Sequence, residues 1–135
     1  MLLLSLLSLA AASRAGPGAS VVDGIEFGPR LTLTCTWFSN FENSRFERCR
    51  DGSRDVLPSD DGASIKCLAR MCEQLGAEAR RVTHWAKPEP PWGTYTIRLV
   101  GRVSVHQHER QYLGDATSTV LVEKLLSVKA NSVVR

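Results

Sequence analysis

The pattern of apolar residues predicts a mainly β fold with one α-helix, the helix placed before the last two strands. Three observations carry this. Arg30 to Ser39 alternates, with Leu31, Leu33, Cys35 and Trp37 on one face and Thr32, Thr34 and Thr36 on the other, the period of a half-buried strand. Tyr95, Ile97, Leu99, Val103 and Val105 repeat that period opposite Thr94, Thr96, Arg98, Arg102, Ser104 and His106. Between the two stretches the spacing becomes helical, over Ile65, Leu68, Cys72, Leu75 and Ala79.

The remaining elements follow in order. Residues 16–20 read as a flexible start. The turn-rich Asn40 to Ser44 leads to a returning strand, Arg45 to Cys49, with Phe46 inward. Residues 50–63 read as loop, with a short strand at Asp55 to Leu57. The helix is expected over 62–79, with Ser59, Asp60 and Asp61 available as caps and Arg80 and Arg81 at its C-terminal end. Val82 to Trp85 then leads into a proline-rich segment, Lys87 to Gly93, which reads as extended. Gly101 interrupts the next strand and marks a bulge or bend. Leu113, Gly114 and Asp115 close a long hairpin, and Thr117 to Val128 returns with apolar residues on both faces, before a polar tail. This order is that of a small, five-stranded OB-like barrel. An immunoglobulin sandwich fits less well, because Cys35 and Trp37 are only two apart and a central helix has no place in it.

Met1 to Ala15 read as a cleaved signal peptide. Leu2 to Ala12 is an unbroken run of apolar and small residues, and Ser13 and Ala15 stand at the −3 and −1 positions of a cut, with Ala10 to Ala12 offering a second. No Lys or Arg precedes the run. It is shorter than the ~20 residues needed to cross a bilayer, and no later segment comes closer, so no integral membrane segment is expected after processing. Residues 16–135 then form a single domain, secreted or periplasmic. The formal charge of the chain is +3, too near neutral for whole-molecule attraction to nucleic acid or anionic lipid. No Asn-x-Ser/Thr sequon is present.

The chain has four cysteines, Cys35, Cys49, Cys67 and Cys72, which in an exported protein suggest up to two disulfides. On an unbroken helix Cys67 projects about 140° from Cys72, so the two cannot bridge. Cys35–Cys72 with Cys49–Cys67 is then the first expectation. A helix that starts late allows Cys35–Cys49 with Cys67–Cys72 instead.

Leu31 to Cys49 resembles a pattern of small exported bacterial envelope proteins, in which an apolar strand runs into Asn-Phe-Glu-x-Ser-x-Phe and then a cysteine. The matching positions are Phe41, Glu42, Ser44, Phe46 and Cys49. The stretches Ile97 to Arg102 and Tyr112 to Asp115 resemble the last two strands of OB-like domains. The resemblance covers about half the chain and implies an exported domain with an OB-like fold and no assigned reaction.

Few constellations point to chemistry. Cys67 in a first helical turn would be a reactive thiol if free, but no Cys-x-x-Cys or Cys/His/Asn signature surrounds it. Glu42 and Glu47 are the nearest approach to paired carboxylates, with no pocket to separate their pKa values. His106 and His108 share a strand face without the further ligands zinc requires, and no metal or cofactor is implied. Arg98 and Arg102 line the polar face of the central strand, with Arg45 and Arg48 on a neighbour. That face is the usual ligand platform of a barrel of this kind, but it carries too few aromatics for nucleic acid. Trp92 and Trp85 flank the prolines at its edge, where Trp can dock a partner.

The sequence therefore supports an exported, non-enzymatic accessory or binding domain, contacting an unidentified protein or an anionic envelope ligand through Arg98, Arg102 and Trp92. Two alternatives stand beside it: a small envelope enzyme using Cys67 or Glu42, and a secreted inhibitor or host-interaction module.

Overall fold

Ser20–Val22 (β1) and Ile25–Phe27 (β2) form a two-stranded hairpin, turned at Asp23 and Gly24 with φ of 48° and 78°. Two successive positive φ values are the type I′ geometry that an Asp-Gly pair favours. The expected order lacks this hairpin, although the dipeptide signals it. The computed structural model describes residues 20–58, 60–88, 91–110, 112 and 114–133; the leader expected at 1–15 lies outside them.

The main sheet is built from Leu31–Ser39 (β3), Ser44–Asp51 (β4), Arg54–Asp55 (β5), Ser64–Cys67 (β6), Gly93–Val103 (β7) and Thr119–Val133 (β8), with one helix, Met71–Thr83 (α1), before the last two strands. Its order is β5-β4-β3-β7-β8-β6. All neighbours are antiparallel except β6 and β8, which run parallel from Ser64↔Thr119 to Cys67↔Val122. The sheet curls until its far end returns: Phe46 and Ala63 exchange two backbone hydrogen bonds, at 3.0 and 2.7 Å. The fold is therefore mainly β with one helix and barrel-like. It has six sheet strands rather than the five expected, because the stretch between β4 and α1 contributes two short strands in place of one.

The curl has a local cause. β8 carries an extra residue at three points against β7, since Val100 pairs with Lys124 and Gly101 with Val122, Arg98 with Ser127 and Leu99 with Leu125, and Thr94 with Ser132 and Tyr95 with Ala130. Each bulge raises the local twist and bends the strand. At the first of them, a Cβ on Gly101 would lie 2.3 Å from the Leu121 carbonyl oxygen and 2.8 Å from Leu99 Cδ1. Only glycine lets the two backbones approach there. Where a bulge or bend is expected at Gly101, the register shifts through a bulge whose extra residue, Glu123, belongs to the partner strand.

The inward residues of the alternating strands make the core. Leu33, Cys35 and Trp37 of β3 meet Tyr95, Ile97 and Leu99 of β7, Phe46 and Cys49 of β4, and Val120 and Val122 of β8. Each large side chain contributes about 1.5–3 kcal/mol by leaving water. Trp37 stacks at 4.8 Å on Tyr95 and donates its indole N–H to Ser44 Oγ at 2.8 Å, so its one polar atom is satisfied. β8 continues to Val133, where a polar tail is expected; pairing with Gly93 and Thr94 of β7 extends it.

The helix is later than the expected 62–79. Ser64 to Cys67 pair with β8 instead, which makes Ile65 a strand residue and leaves Leu68 exposed. The helical spacing across 65–79 is thus a strand and a helix end to end, and sheet pairing overrides it. Leu75, Ala79 and Thr83 form the buried stripe of α1. Its N-cap is Arg70, without a side-chain hydrogen bond, so Asp60 and Asp61 do not cap it; Ser59 lies outside the described residues. Val82 and Thr83 belong to its last turn, with Arg80 and Arg81 where the dipole favours cations.

The late helix start also decides the disulfides. Cys35 bridges Cys49 and Cys67 bridges Cys72, with Cα separations of 4.0 and 5.5 Å. The first-choice pairing is overturned: Cys67 ends a strand rather than riding on the helix, and Cys35 lies directly opposite Cys49 in the β3–β4 register. Two disulfides are compatible with an oxidising compartment. No helix among the described residues is long and apolar enough to cross a membrane.

Two stability outcomes follow. The Cys35→Ala/Cys49→Ala chain should lose about 3 kcal/mol and the Cys67→Ala/Cys72→Ala chain about 2, following the logarithm of loop length, as read by urea unfolding; equal losses would contradict the loop argument. Gly101→Ala should cost about 1–3 kcal/mol by overpacking, read as a lower thermal midpoint, whereas Gly52→Ala meets open space and carries only its turn strain.

Candidate ligand-binding face

The residues left outside by the alternation line up across four strands. In register, Arg50, Thr34, Arg98 and Ser127 form one row from β4 to β8. Arg48, Thr36, Thr96 and Lys129 form the next, and Arg45, Phe38, Thr94 and Ser132 the row beyond. On the other side Thr32, Val100 and Lys124 follow. Strand spacings of about 4.8 Å and two-residue steps of about 6.8 Å make this a face of roughly 14 by 20 Å. It is paved with threonine and edged with cations.

The charges are not evenly neutralised. On the β4 side Arg48 donates to Asp55 at 2.8 and 3.0 Å, and Arg50 Nε lies 3.4 Å from the same carboxylate. The hydrogen bond from Arg48 holds Asp55 below the usual carboxylate range. Glu47, the extra residue of a β4 bulge, and Asp60 border the same side. On the β7–β8 side no acid intervenes. Among the described residues Arg45, Arg98, Lys124 and Lys129 have no carboxylate partner. Exposed Arg98 stands between the hydroxyls of Thr34 and Ser127 across the strands and Thr96 along its own.

Arg102 keeps the strand parity of Arg98 but is covered, so it is not exposed on this face as expected. It is 9% exposed, donates Nε–H to Glu123 Oε1 at 2.6 Å, and reaches the Gly28 carbonyl at 3.2 Å. The segment after β2 covers it: Gly28 N–H bonds to Val103 O, and Val105 N–H to Glu26 O. Arg30 completes a bidentate contact to Glu123, at 3.0 and 3.4 Å. Burial alone would raise the Glu123 pKa, but the hydrogen bonds and charges of Arg30 and Arg102 outweigh it and hold the carboxyl below its ordinary value. Arg102 is a structural tie between the N-terminal hairpin and the barrel.

The other expected residues are dispersed. Trp92 is half-buried just before β7, its ring 5.5 Å from that of Phe41, which is 68% exposed in the β3–β4 turn. The turn is held by Asn40 Oδ1, which accepts from the Glu42 and Asn43 backbone N–H groups at 2.8 and 2.7 Å. Glu42 itself points into no described cleft. All four cysteines are bridged, so Cys67 offers no thiol. His106 and His108 lie beyond β7 rather than on a strand face: His106 is 3.8 Å from Glu26, and His108 sits between Thr119 Oγ1 and the Glu109 carbonyl. Nearby, a cleft of about 540 Å³ opens between the Asp23–Gly24 turn, β6 and residues 108–119. Its cations are paired, Lys66 with Asp23 and Arg110 with Asp61.

Arg50, Lys124 and Lys129 escape the sequence reading. The bulges after Val122, Leu125 and Ala130 break the two-residue period of β8, so the lysines cannot be assigned a face by counting. No protein-family model, curated protein or solved structure matches the chain.

Because Glu123 is depressed in the folded chain, its contribution is present above the unfolded value of about 4.3 and is lost as pH falls through the folded pKa. Glu123→Gln should therefore destabilise the protein above pH ~5, with the gap from wild type closing in acid. A gap constant with pH, in urea melts across the range, would show that the carboxylate charge is not what Arg102 and Arg30 need.

Proposed function

We propose that this chain is an exported accessory domain with an OB-like barrel, non-enzymatic, that binds an anionic envelope polymer on the Arg98 face. The observation that carries this reading is the array of Arg45, Arg98, Lys124 and Lys129, which lack carboxylate partners in a field of threonine hydroxyls. An exposed array of like charge repels itself and costs stability, and a polyanion relieves that cost. The OB-like assignment draws support from the pairing pattern. The first long strand pairs with both the second and the fourth, the last runs parallel to the third, and the helix lies between third and fourth, with β5 and β6 sharing the third position. In such barrels the ligand platform is the face of the second and third strands, here β4 and β5, and the rows of the Arg98 face run on from β4 across β3 to β7 and β8.

Export rests on the leader pattern, and the paired cysteines are compatible with it. The kinship to small bacterial envelope proteins belongs to the same reading and rests on Phe41, Glu42, Ser44, Phe46 and Cys49. The enzymatic alternative has less support, since Cys67 is bridged and Glu42 is exposed in a turn.

Binding to linear polyphosphate, followed by fluorescence anisotropy at several salt concentrations, tests the proposal. Each cation that contacts the polymer should contribute about 0.7–0.9 to the slope of log K against log salt. Arg98→Ala/Lys129→Ala should flatten that slope by about twice this amount, while Arg81→Ala on the helix leaves it unchanged. A wild-type chain without salt-dependent binding, or a double variant with an unaltered slope, would overturn it.

A further inference from the structure

The cationic face ends on aromatic rings, and this end bears on what the polymer is. Ser39↔Gly93 is the last β3–β7 pair. Trp92 precedes Gly93, on the parity of Thr94, Thr96 and Arg98, and Phe41 follows Ser39 by two residues, so the tilted Phe41–Trp92 pair lies directly beyond the Arg45–Phe38–Thr94 row. Phe38 adds a half-buried ring within that row. The Asn40 side chain holds the turn that presents Phe41. Phe41, 68% exposed, thus groups with half-buried Trp92 and Phe38 into a small aromatic patch at the end of the charged track, and it is a grouped patch rather than a lone ring that marks a contact site.

We infer that the polymer bound by the Arg98 face is an acidic polysaccharide, one of whose sugar rings stacks on Phe41 and Trp92 while its carboxylate or sulfate groups meet Arg98, Lys129 and Arg45. The inference rests on the anionic-polymer reading and narrows it. Three features select a saccharide over other polyanions. The rings occur at one end only, whereas a single-stranded nucleic acid needs a platform for successive bases. The middle of the face is threonine, whose hydroxyls both donate and accept, matching the hydroxyls of a sugar backbone. The cations are set among those hydroxyls rather than clustered, which suits charges carried one per ring.

The test uses the processed full chain with three probes of equal charge: a short heparin oligosaccharide, linear polyphosphate and oligothymidylate. Wild type should bind the oligosaccharide about threefold to tenfold tighter than polyphosphate, the advantage expected of one aromatic contact. Phe41→Ala should abolish that advantage and leave polyphosphate binding unchanged, and Phe41→Tyr should restore it. Arg98→Ala should weaken both. Phe41 is exposed, so its replacement should leave the thermal midpoint unmoved, and Trp92→Phe gives a second variant that keeps a ring. Oligosaccharide and polyphosphate bound equally, both sensitive to Arg98→Ala, would overturn the sugar assignment and leave the anionic face standing. Oligothymidylate bound tightest would replace the saccharide with a nucleic acid. Absence of binding to all three would remove both readings.

Discussion

The structure depends on the mismatch between β7 and β8. The eleven residues Gly93–Val103 pair with the fourteen from Val120 to Val133, and the surplus is absorbed at Glu123, Leu126 and Asn131. Three bulges in one strand give the sheet more twist than a regular ladder would. Because of that twist, β6 lies beside β8 at one end and Ala63 still reaches Phe46 at the other. Gly101 is the point of closest approach, and the absence of a side chain there is a condition for the closure.

The same irregularities distribute the charge. Glu123 is a bulge residue, released from the alternation, and it turns toward Arg102 and Arg30 as the N-terminal hairpin folds over them. A buried guanidinium without such a partner would be prohibitive. Lys124, next along, is exposed in the row of Thr32 and Val100 and joins Arg98 and Lys129 on the outer face. The cations of this wall therefore divide into neutralised ones, Arg30, Arg48, Arg50 and Arg102, and ones without a carboxylate partner among the described residues, Arg45, Arg98, Lys124 and Lys129. The first set holds the fold together, and the second remains available to a ligand.

The two disulfides reinforce this division. Cys35–Cys49 is buried and locks the register of β3 on β4, which sets the rows of the outer face. Cys67–Cys72 ties the end of β6 to the first turn of α1, at a helix start with no side-chain cap. It supplies by covalent restraint what the missing cap does not. Cys67–Cys72 thus acts on a strand too short to be held by the core alone, whereas Cys35–Cys49 reinforces two long core strands.

The sequence by itself determined the faces of β3 and most of β7, where strict alternation leaves only one set of residues to bury: Leu33, Cys35 and Trp37 face Tyr95, Ile97 and Leu99 as the period requires. It also gave away the bulge at Gly101 and the position of a helix before the last two strands. Only the tertiary structure decided that Ile65 belongs to a strand, because the parallel ladder to β8 is a non-local pairing with no local signature. From that one assignment followed the late helix, the pairing of Cys67 with Cys72 and the loss of the expected connectivity. The candidate face was half legible for the same reason. Arg98 and the threonines lie on regular strands and could be counted, whereas Lys124 and Lys129 lie between bulges, and Arg102 was claimed by an acid twenty-one residues away. Local period assigns a face only while the register holds, and the bulges that shift it are set by the partner strand.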